Sequence, residues 1–428
     1  MNMPFLKPLR TLSDVKDTLA WSSSAERLHK LIGGQLGNDQ SRNGRADGNG
    51  KIDGSGRAQI AKTPRDVAGD GVAGYARLLS GEFNTEMEAP PVNLSPRRVK
   101  HTVKMEHNVF IVEGRRLRYA VSDNYDDTPL ISLAPAKDTP KSSATRVSGR
   151  VSGRASGDKS KAMWVVSLHG FFAGGGMYWE ESRYLAEGLG LRVLSPSLPG
   201  FGGSDPLPWA KVNVYELAGQ VRLLMDHLGI ENALLMGHSM GGAIAVAFAE
   251  MYSDRTLGII YRDGAATPAW RKRSGLIVDV LKPFVPDVAN VADLVAALVA
   301  DLPDMLVGRR RAETIRALFP DFRRNVRSLG RTIPVGAMLF TIDMTGDVRD
   351  LVENSEIPLL PVWGCFDRIA NSATAEEFEE VSDHKVLWVP GGHSWMLARP
   401  SAQFDILTRT SRGRAFLADV MLRRSMVE

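Results

Sequence analysis

Gly237-His238-Ser239-Met240-Gly241 constrains this chain more than any other stretch, because a strand-like run enters it and a helix-like run leaves it. The apolar run Ala233-Leu234-Leu235-Met236 comes before, and Gly242-Ala243-Ile244-Ala245-Val246-Ala247-Phe248-Ala249, of helical composition, comes after. A chain that passes from strand to helix this sharply holds the turn residue in a strained conformation. Glycines two positions away on either side remove the side chains that would collide. Serine occupies the turn. Its hydroxyl would stand clear of the sheet, near a helix N-terminus whose free N–H groups can stabilise developing negative charge.

A nucleophilic serine needs a base, and the base needs an orienting acid. Both candidates lie downstream. Ile357-Pro358-Leu359-Leu360-Pro361-Val362-Trp363-Gly364 reads as a buried strand, and Asp367 follows it in the short turn Cys365-Phe366-Asp367-Arg368. Lys385-Val386-Leu387-Trp388-Val389 reads as another, running into Pro390-Gly391-Gly392-His393. Each candidate therefore falls just past the carboxyl end of a strand, where open parallel sheets place their active sites. Asp263, in Tyr261-Arg262-Asp263-Gly264 after the strand Leu257–Tyr261, is a rival acid.

The run Ala162-Met163-Trp164-Val165-Val166-Ser167-Leu168 has the continuity of a buried strand and ends in His169-Gly170-Phe171-Phe172-Ala173-Gly174-Gly175-Gly176. Glycines let backbone approach a substrate closely. The N–H groups of Phe171 and Met240 are the expected pair of oxyanion donors. His169 and His238 are expected to shape this region rather than to act as bases.

With these turns in this order, and with the strand and loop Leu194-Ser195-Pro196-Ser197-Leu198-Pro199-Gly200-Phe201-Gly202-Gly203-Ser204, the chain resembles the α/β-hydrolase fold over roughly residues 100–428. The resemblance implies an α/β fold with a mostly parallel central sheet flanked by helices, and a helical lid inserted late in the sheet. It also implies a serine esterase or lipase-like enzyme whose triad is Ser239, Asp367 and His393. Relatives with an Asp nucleophile, such as epoxide hydrolases and haloalkane dehalogenases, are disfavoured by Ser239. Meta-cleavage carbon–carbon hydrolases are more similar. They commonly carry Asn before the serine, where this chain has His238, which leans the expectation toward a carboxylic ester or thioester with a hydrophobic acyl group. Two alternatives stand beside it: an acyltransferase using the same triad, and a non-catalytic hydrolase-fold protein that binds a partner.

Composition is that of a globular chain: 428 residues, 43% hydrophobic and 24% charged, with a net charge of +4. That mild charge, without a zinc-finger, RNP or helix-turn-helix pattern, gives no expectation of nucleic acid as a partner. Cys365 is the single cysteine, so no intrachain disulfide forms, and a small buried residue at a strand end is the expected role. The start of the sequence lacks the apolar stretch of a secretory signal, and no later run approaches a transmembrane span. A cytoplasmic protein with neither metal nor organic cofactor is expected, acting on a small-molecule or lipid-like ester. Peripheral association with an anionic membrane surface is a further expectation, and oligomeric state is left open.

Four segments are expected. Residues 1–95 form an N-terminal extension, with an amphipathic helix carrying Leu12, Val15, Leu19, Leu28, Leu31 and Ile32, a Gly/Asn-rich linker from Gly33 to about Lys62, and a second helix from Thr63-Pro64. Asp47-Gly48-Asn49-Gly50-Lys51-Ile52-Asp53 in that linker imitates the middle of an EF-hand loop, but Arg45 and Gly56 stand where the first and twelfth ligands should be, so it reads as linker. Residues 96–266 form the first part of the core, interrupted by a polar insertion at 124–161 that is expected to be disordered. Residues 267–354 form the helical lid, apolar from Leu276 to Val307 and studded with Arg271-Lys272-Arg273, Arg309-Arg310-Arg311, Arg323-Arg324, Arg327 and Arg331. Residues 355–428 complete the core.

Overall fold

The computed structural model describes residues 103–123, 163–270 and 311–427. The expected N-terminal helices and linker, the 124–161 insertion, and the apolar run Leu276–Val307 lie outside the described residues. So do the basic clusters at 271–273 and 309–310.

Eight strands form one sheet: β1 (Met105–Val112), β2 (Arg115–Ser122), β3 (Trp164–Leu168), β4 (Arg192–Pro196), β5 (Ala233–His238), β6 (Thr256–Arg262), β7 (Leu359–Gly364) and β8 (Leu387–Val389). Their spatial order is β1-β2-β4-β3-β5-β6-β7-β8. From β4 through β8 every neighbouring pair is parallel, whereas β1 and β2 form an antiparallel edge. That edge folds on a two-residue turn, Glu113-Gly114, with φ of 50° and 73°. Positive φ at both positions matches the right-handed twist of a hairpin.

Ten α-helices accompany the sheet among the described residues: α1 (Trp179–Leu189), α2 (Val214–His227), α3 (Met240–Met251), α4 (Arg311–Arg327), α5 (Leu329–Thr341), α6 (Thr345–Asn354), α7 (Ser372–Ser382), α8 (Trp395–Ala398), α9 (Ala402–Arg409) and α10 (Ser411–Val427). Side chains alternate across a strand, so each central strand feeds two cores. On one face Val166, Leu235, Ile259 and Trp363 pack with Leu217 and Val221 of α2, Ile244 and Phe248 of α3, and Phe378 of α7. On the other, Val165, Leu234, Ile260 and Val362 pack with Leu185 and Leu189 of α1 and with Phe416 and Val420 of α10. Covering both faces is why β5 and β6 read as continuous apolar runs. Helices α4 to α6 stand in sequence between β6 and β7. Val335 and Leu339 of α5 and Val348 of α6 join the first core.

Local signals set the helix ends near the site. Asn213 caps α2 by accepting the Glu216 N–H at 2.8 Å, and α1 stops at Gly190 in the left-handed region (φ 65°). Strand starts differ from the sequence expectation by two residues at β7 and at β8. Pro358 explains the first case: it has no N–H for a ladder, and its carbonyl accepts the Ile259 N–H at 2.8 Å just ahead of the paired residues. No helix among the described residues is long and apolar enough to cross a membrane.

Candidate active site

Ser239 sits between β5 and α3 with φ 53° and ψ −119°, a conformation that costs a non-glycine residue about 1–3 kcal/mol. Surrounding packing enforces it. A Cβ on Gly237 would collide with the Gly241 carbonyl, and one on Gly241 with the Leu168 carbonyl at the end of β3. Both glycines are therefore required by close approach. The Ser239 N–H donates to the Arg262 carbonyl at 2.9 Å, tying the turn to the end of β6, and its side chain makes no capping bond to the helix it precedes. Gly170 lies against the serine: a Cβ there would be 3.2 Å from Ser239 Cβ. The turn after β3 and the turn after β5 thus meet at one point. Met240 opens α3, so its N–H is one of the first four that no carbonyl of the helix satisfies.

Asp367 and His393 come together from the turns after β7 and β8. His393 Nδ1 lies 2.8 Å from Asp367 Oδ2, with both side chains nearly excluded from solvent. The other oxygen of Asp367 accepts the N–H groups of Ile369 at 2.7 Å and Ala370 at 2.9 Å, a local turn that fixes the carboxylate's orientation. Asp263 is also close, since one ligand atom of each of Asp263, Asp367 and His393 falls within 4.8 Å of the others. Its oxygens are engaged elsewhere. Oδ1 accepts the Gly364 N–H at 2.7 Å, and Oδ2 accepts the Trp395 indole N–H at 2.6 Å. Burial, reinforced by neighbouring Asp367, pushes the Asp263 carboxyl well above the usual carboxylate range.

Two further histidines support the turns in their neutral forms. His169 Nε2 accepts the Leu198 N–H at 2.9 Å, so its Nδ1 carries the proton and donates to the Gly170 carbonyl at 2.7 Å. Burial lowers its pKa to about 4. His238 bridges more widely: Nε2 donates to the His393 carbonyl at 2.8 Å, and Nδ1 accepts the Tyr178 hydroxyl at 2.6 Å. Burial and the adjacent His393 hold its pKa well below the ordinary value. His238 therefore braces the turn that carries His393, a connection that its place in the Gly237–Gly241 motif does not reveal. Beneath them, Arg262 and Glu181 form a fully buried pair at 2.6 Å, and the guanidinium lies 5.2 Å from the Tyr178 ring centre. Burial pushes the Glu181 carboxyl up while Arg262 opposes it.

Helix α4 supplies residues that the motifs alone do not point to. Asn325 is buried; its Nδ2 donates to the carbonyls of Phe172 at 2.7 Å and Ala173 at 2.9 Å, and its Oδ1 accepts the Gly202 N–H at 2.8 Å. Asp321 accepts the Gly176 N–H at 3.3 Å. One helix therefore stitches the glycine-rich turn after β3 to the loop after β4. The available signal was a neutral Asn set among Arg323, Arg324 and Arg327. Phe172, in the stitched turn, has φ 66°.

A family model for the alpha/beta hydrolase fold matches residues 164–397, more than half of the chain. The chain belongs to the α/β-hydrolase fold family. This hydrolase is 29% identical over 217 residues to the AB hydrolase superfamily protein YisY of Bacillus subtilis, covering 50% of this chain and 78% of that protein. It is 39% identical over 98 residues to the 2-hydroxy-6-oxo-6-phenylhexa-2,4-dienoate hydrolase of Burkholderia cepacia, covering 22% of this chain and 34% of that protein. Among solved structures, a thermophilic esterase from Thermogutta terrifontis superposes with a TM-score of 0.45 at 19% identity, covering 76% of this hydrolase and 100% of the esterase.

Proposed function

We propose that this hydrolase cleaves a carboxylic ester, or thioester, of a hydrophobic acyl group through an acyl-enzyme formed on Ser239. The observation that carries the reading is the strained Ser239 turn (φ 53°), placed on a sheet whose next turns bring His393 onto Asp367 at 2.8 Å. His393 takes the hydroxyl proton as Ser239 Oγ attacks the acyl carbon. Asp367 holds the imidazole with its proton on Nδ1 and stabilises the cation that forms. The N–H groups of Phe171 and Met240 receive the oxyanion, and a serine held beside a helix N-terminus needs little reorganisation to reach it. The alkoxide or thiolate leaves with the proton from His393. Water, deprotonated by the same imidazole, then releases the acid and restores Ser239.

The hydrophobic substrate is supported by α4, here read as part of a cap over the site. Ile315, Phe319, Phe322 and Val326 recur at helical spacing, and each is exposed. Phe322 packs edge-on to Phe172 of the turn after β3, with ring centres 6.0 Å apart. An acyl chain laid on that stripe would lie beside the turn after β3. The same helix carries Arg316, Arg323, Arg324 and Arg327, a combination suited to peripheral attachment to an anionic lipid surface.

Labelling with a serine-reactive fluorophosphonate tests the chemistry: the wild type is expected to label and Ser239→Ala is not. Equal labelling of the two, or none of either, sinks the proposal. A chain-length series of p-nitrophenyl esters tests the substrate class, and a preference for acetyl over long acyl chains would contradict it.

A further inference from the structure

A cleft of about 700 Å³ opens between the antiparallel edge of the sheet and α4, and none of Ser239, Asp367 or His393 lines it. Its charged lining among the described residues is Lys104, Arg118, Arg183, Arg316 and Arg324 against one acid, Asp321, with His107 beside them. That acid is already committed, to Arg324 at 2.7 Å and to the Gly176 N–H. No ion pair joins Lys104, Arg118 or Arg316 to a carboxylate among the described residues.

Two of the basic groups are brought together by packing, while Lys104, His107 and Arg316 stand exposed at the rim of the cleft. Arg118 comes from β2 and Arg324 from α4, and their stems converge on Gly203, where a Cβ would lie 3.1 Å from Arg118 Cδ and 3.0 Å from Arg324 Cδ. Gly203 has φ 95°, which glycine adopts without strain, so the backbone leaves room for both arginines. Like charges gathered from separate elements repel one another, and an anion between them removes the repulsion. Guanidinium forks match the oxygens of phosphate in pairs, with geometry that a single ammonium does not provide. Trp179 adds a flat wall, and the Arg183 guanidinium carbon lies 5.6 Å from the centre of its ring.

We propose that this cleft binds a phosphate group, carried either by a small phosphate ester or by a lipid headgroup. No residue of the proposed triad lines the cleft, and the proposal does not rest on the serine chemistry. The test uses the full chain, with pyrophosphate as the probe, followed by calorimetry and by tryptophan fluorescence. Saturable binding at one equivalent is expected, weakened at least about tenfold in the double variant Arg118→Gln/Arg316→Gln. Circular dichroism of that variant should match the wild type; Arg118→Lys, which keeps the charge but loses the fork, should bind at an intermediate strength and serves if the double variant fails to fold. Vesicles of phosphatidylglycerol and of phosphatidylcholine separate the two sources. Capture by the former alone, competed by pyrophosphate, assigns a lipid headgroup, whereas pyrophosphate binding without vesicle capture assigns a soluble ester. Absence of saturable binding overturns the proposal. So does equal affinity in wild type and variants.

Discussion

Two aspartates end neighbouring strands of the sheet, Asp263 after β6 and Asp367 after β7, and both lie beside His393. They differ in what their oxygens hold. Asp367 spends one oxygen on the amides of its own turn and keeps the other for the imidazole. Asp263 gives one oxygen to Gly364 and the other to Trp395, so it joins the β7 turn to the segment that follows His393. Residue type and strand-end position are the same in both. The second oxygen separates a carboxylate that orients the His393 imidazole from one that fastens the two turns together. On this view the β7 turn governs rate and the β6 turn governs stability.

The largest test of that division is kinetic. Asp367→Asn should lower kcat by roughly 10³–10⁴-fold with KM little changed, because the amide favours the wrong imidazole tautomer. Asp263→Asn should lower it by less than about tenfold. Steady-state turnover of a p-nitrophenyl ester measures both, and the reverse ranking would exchange the two assignments.

Next in size is the buried pair behind the β6 turn. Arg262→Met leaves Glu181 buried without its partner, and removal of one member of such a pair costs about 3–5 kcal/mol. Urea denaturation should show that loss while kcat of the folded variant stays within about tenfold. A large fall in kcat at unchanged stability would place the β6 turn in the rate-determining machinery.

The pH dependence of stability separates the supports by sign. For His169 the folded pKa, about 4, lies below the ordinary 6.5, so its contribution is present above pH 6.5 and lost as pH falls toward 4. At full protonation the loss is about 3 kcal/mol. Asp263 has the opposite sense: its folded pKa is raised, so its contribution is complete below the unfolded value and is lost as pH rises through the folded one. Denaturation midpoints across pH should therefore fall on both sides of a maximum. His169→Gln should flatten the acid limb and Asp263→Asn the alkaline one. An acid limb unchanged in His169→Gln would remove that histidine from the balance.

Much of this site was readable in the sequence because its parts are local. Ser239 stands between glycines that the tight turn demands, and Asp367 and His393 each follow an apolar run that becomes a strand. The sheet was equally legible, since strands covered on both faces leave unbroken apolar stretches. What was not legible depends on distant pairings. Asn325 reaches Phe172 across 153 positions, and nothing in a basic helix says which carbonyls its amide will meet. His238 looks like part of the serine motif, yet its ring braces the backbone of His393, 155 positions away. The choice between Asp263 and Asp367 was open for the same reason: sequence places both at strand ends, and only Trp395 and Gly364 show where the oxygens of Asp263 go.

The smallest expected effect tests the comparison most directly, because it asks whether hydrogen bonding alone keeps Asp263 from the base. Trp395→Phe deletes the indole donor that holds Asp263 Oδ2 while retaining most of the ring volume. In the wild-type background kcat should change little, since Asp367 already occupies Nδ1 of His393. In the Asp367→Asn background the freed oxygen can turn to the imidazole, and residual turnover should rise by about fivefold, equivalent to roughly 1 kcal/mol. Adding Asp263→Asn to that pair should abolish the gain. A double variant no faster than Asp367→Asn alone would show that Asp263 is held away by its backbone, whose φ of 45° fixes the direction of the side chain, and not by its partners.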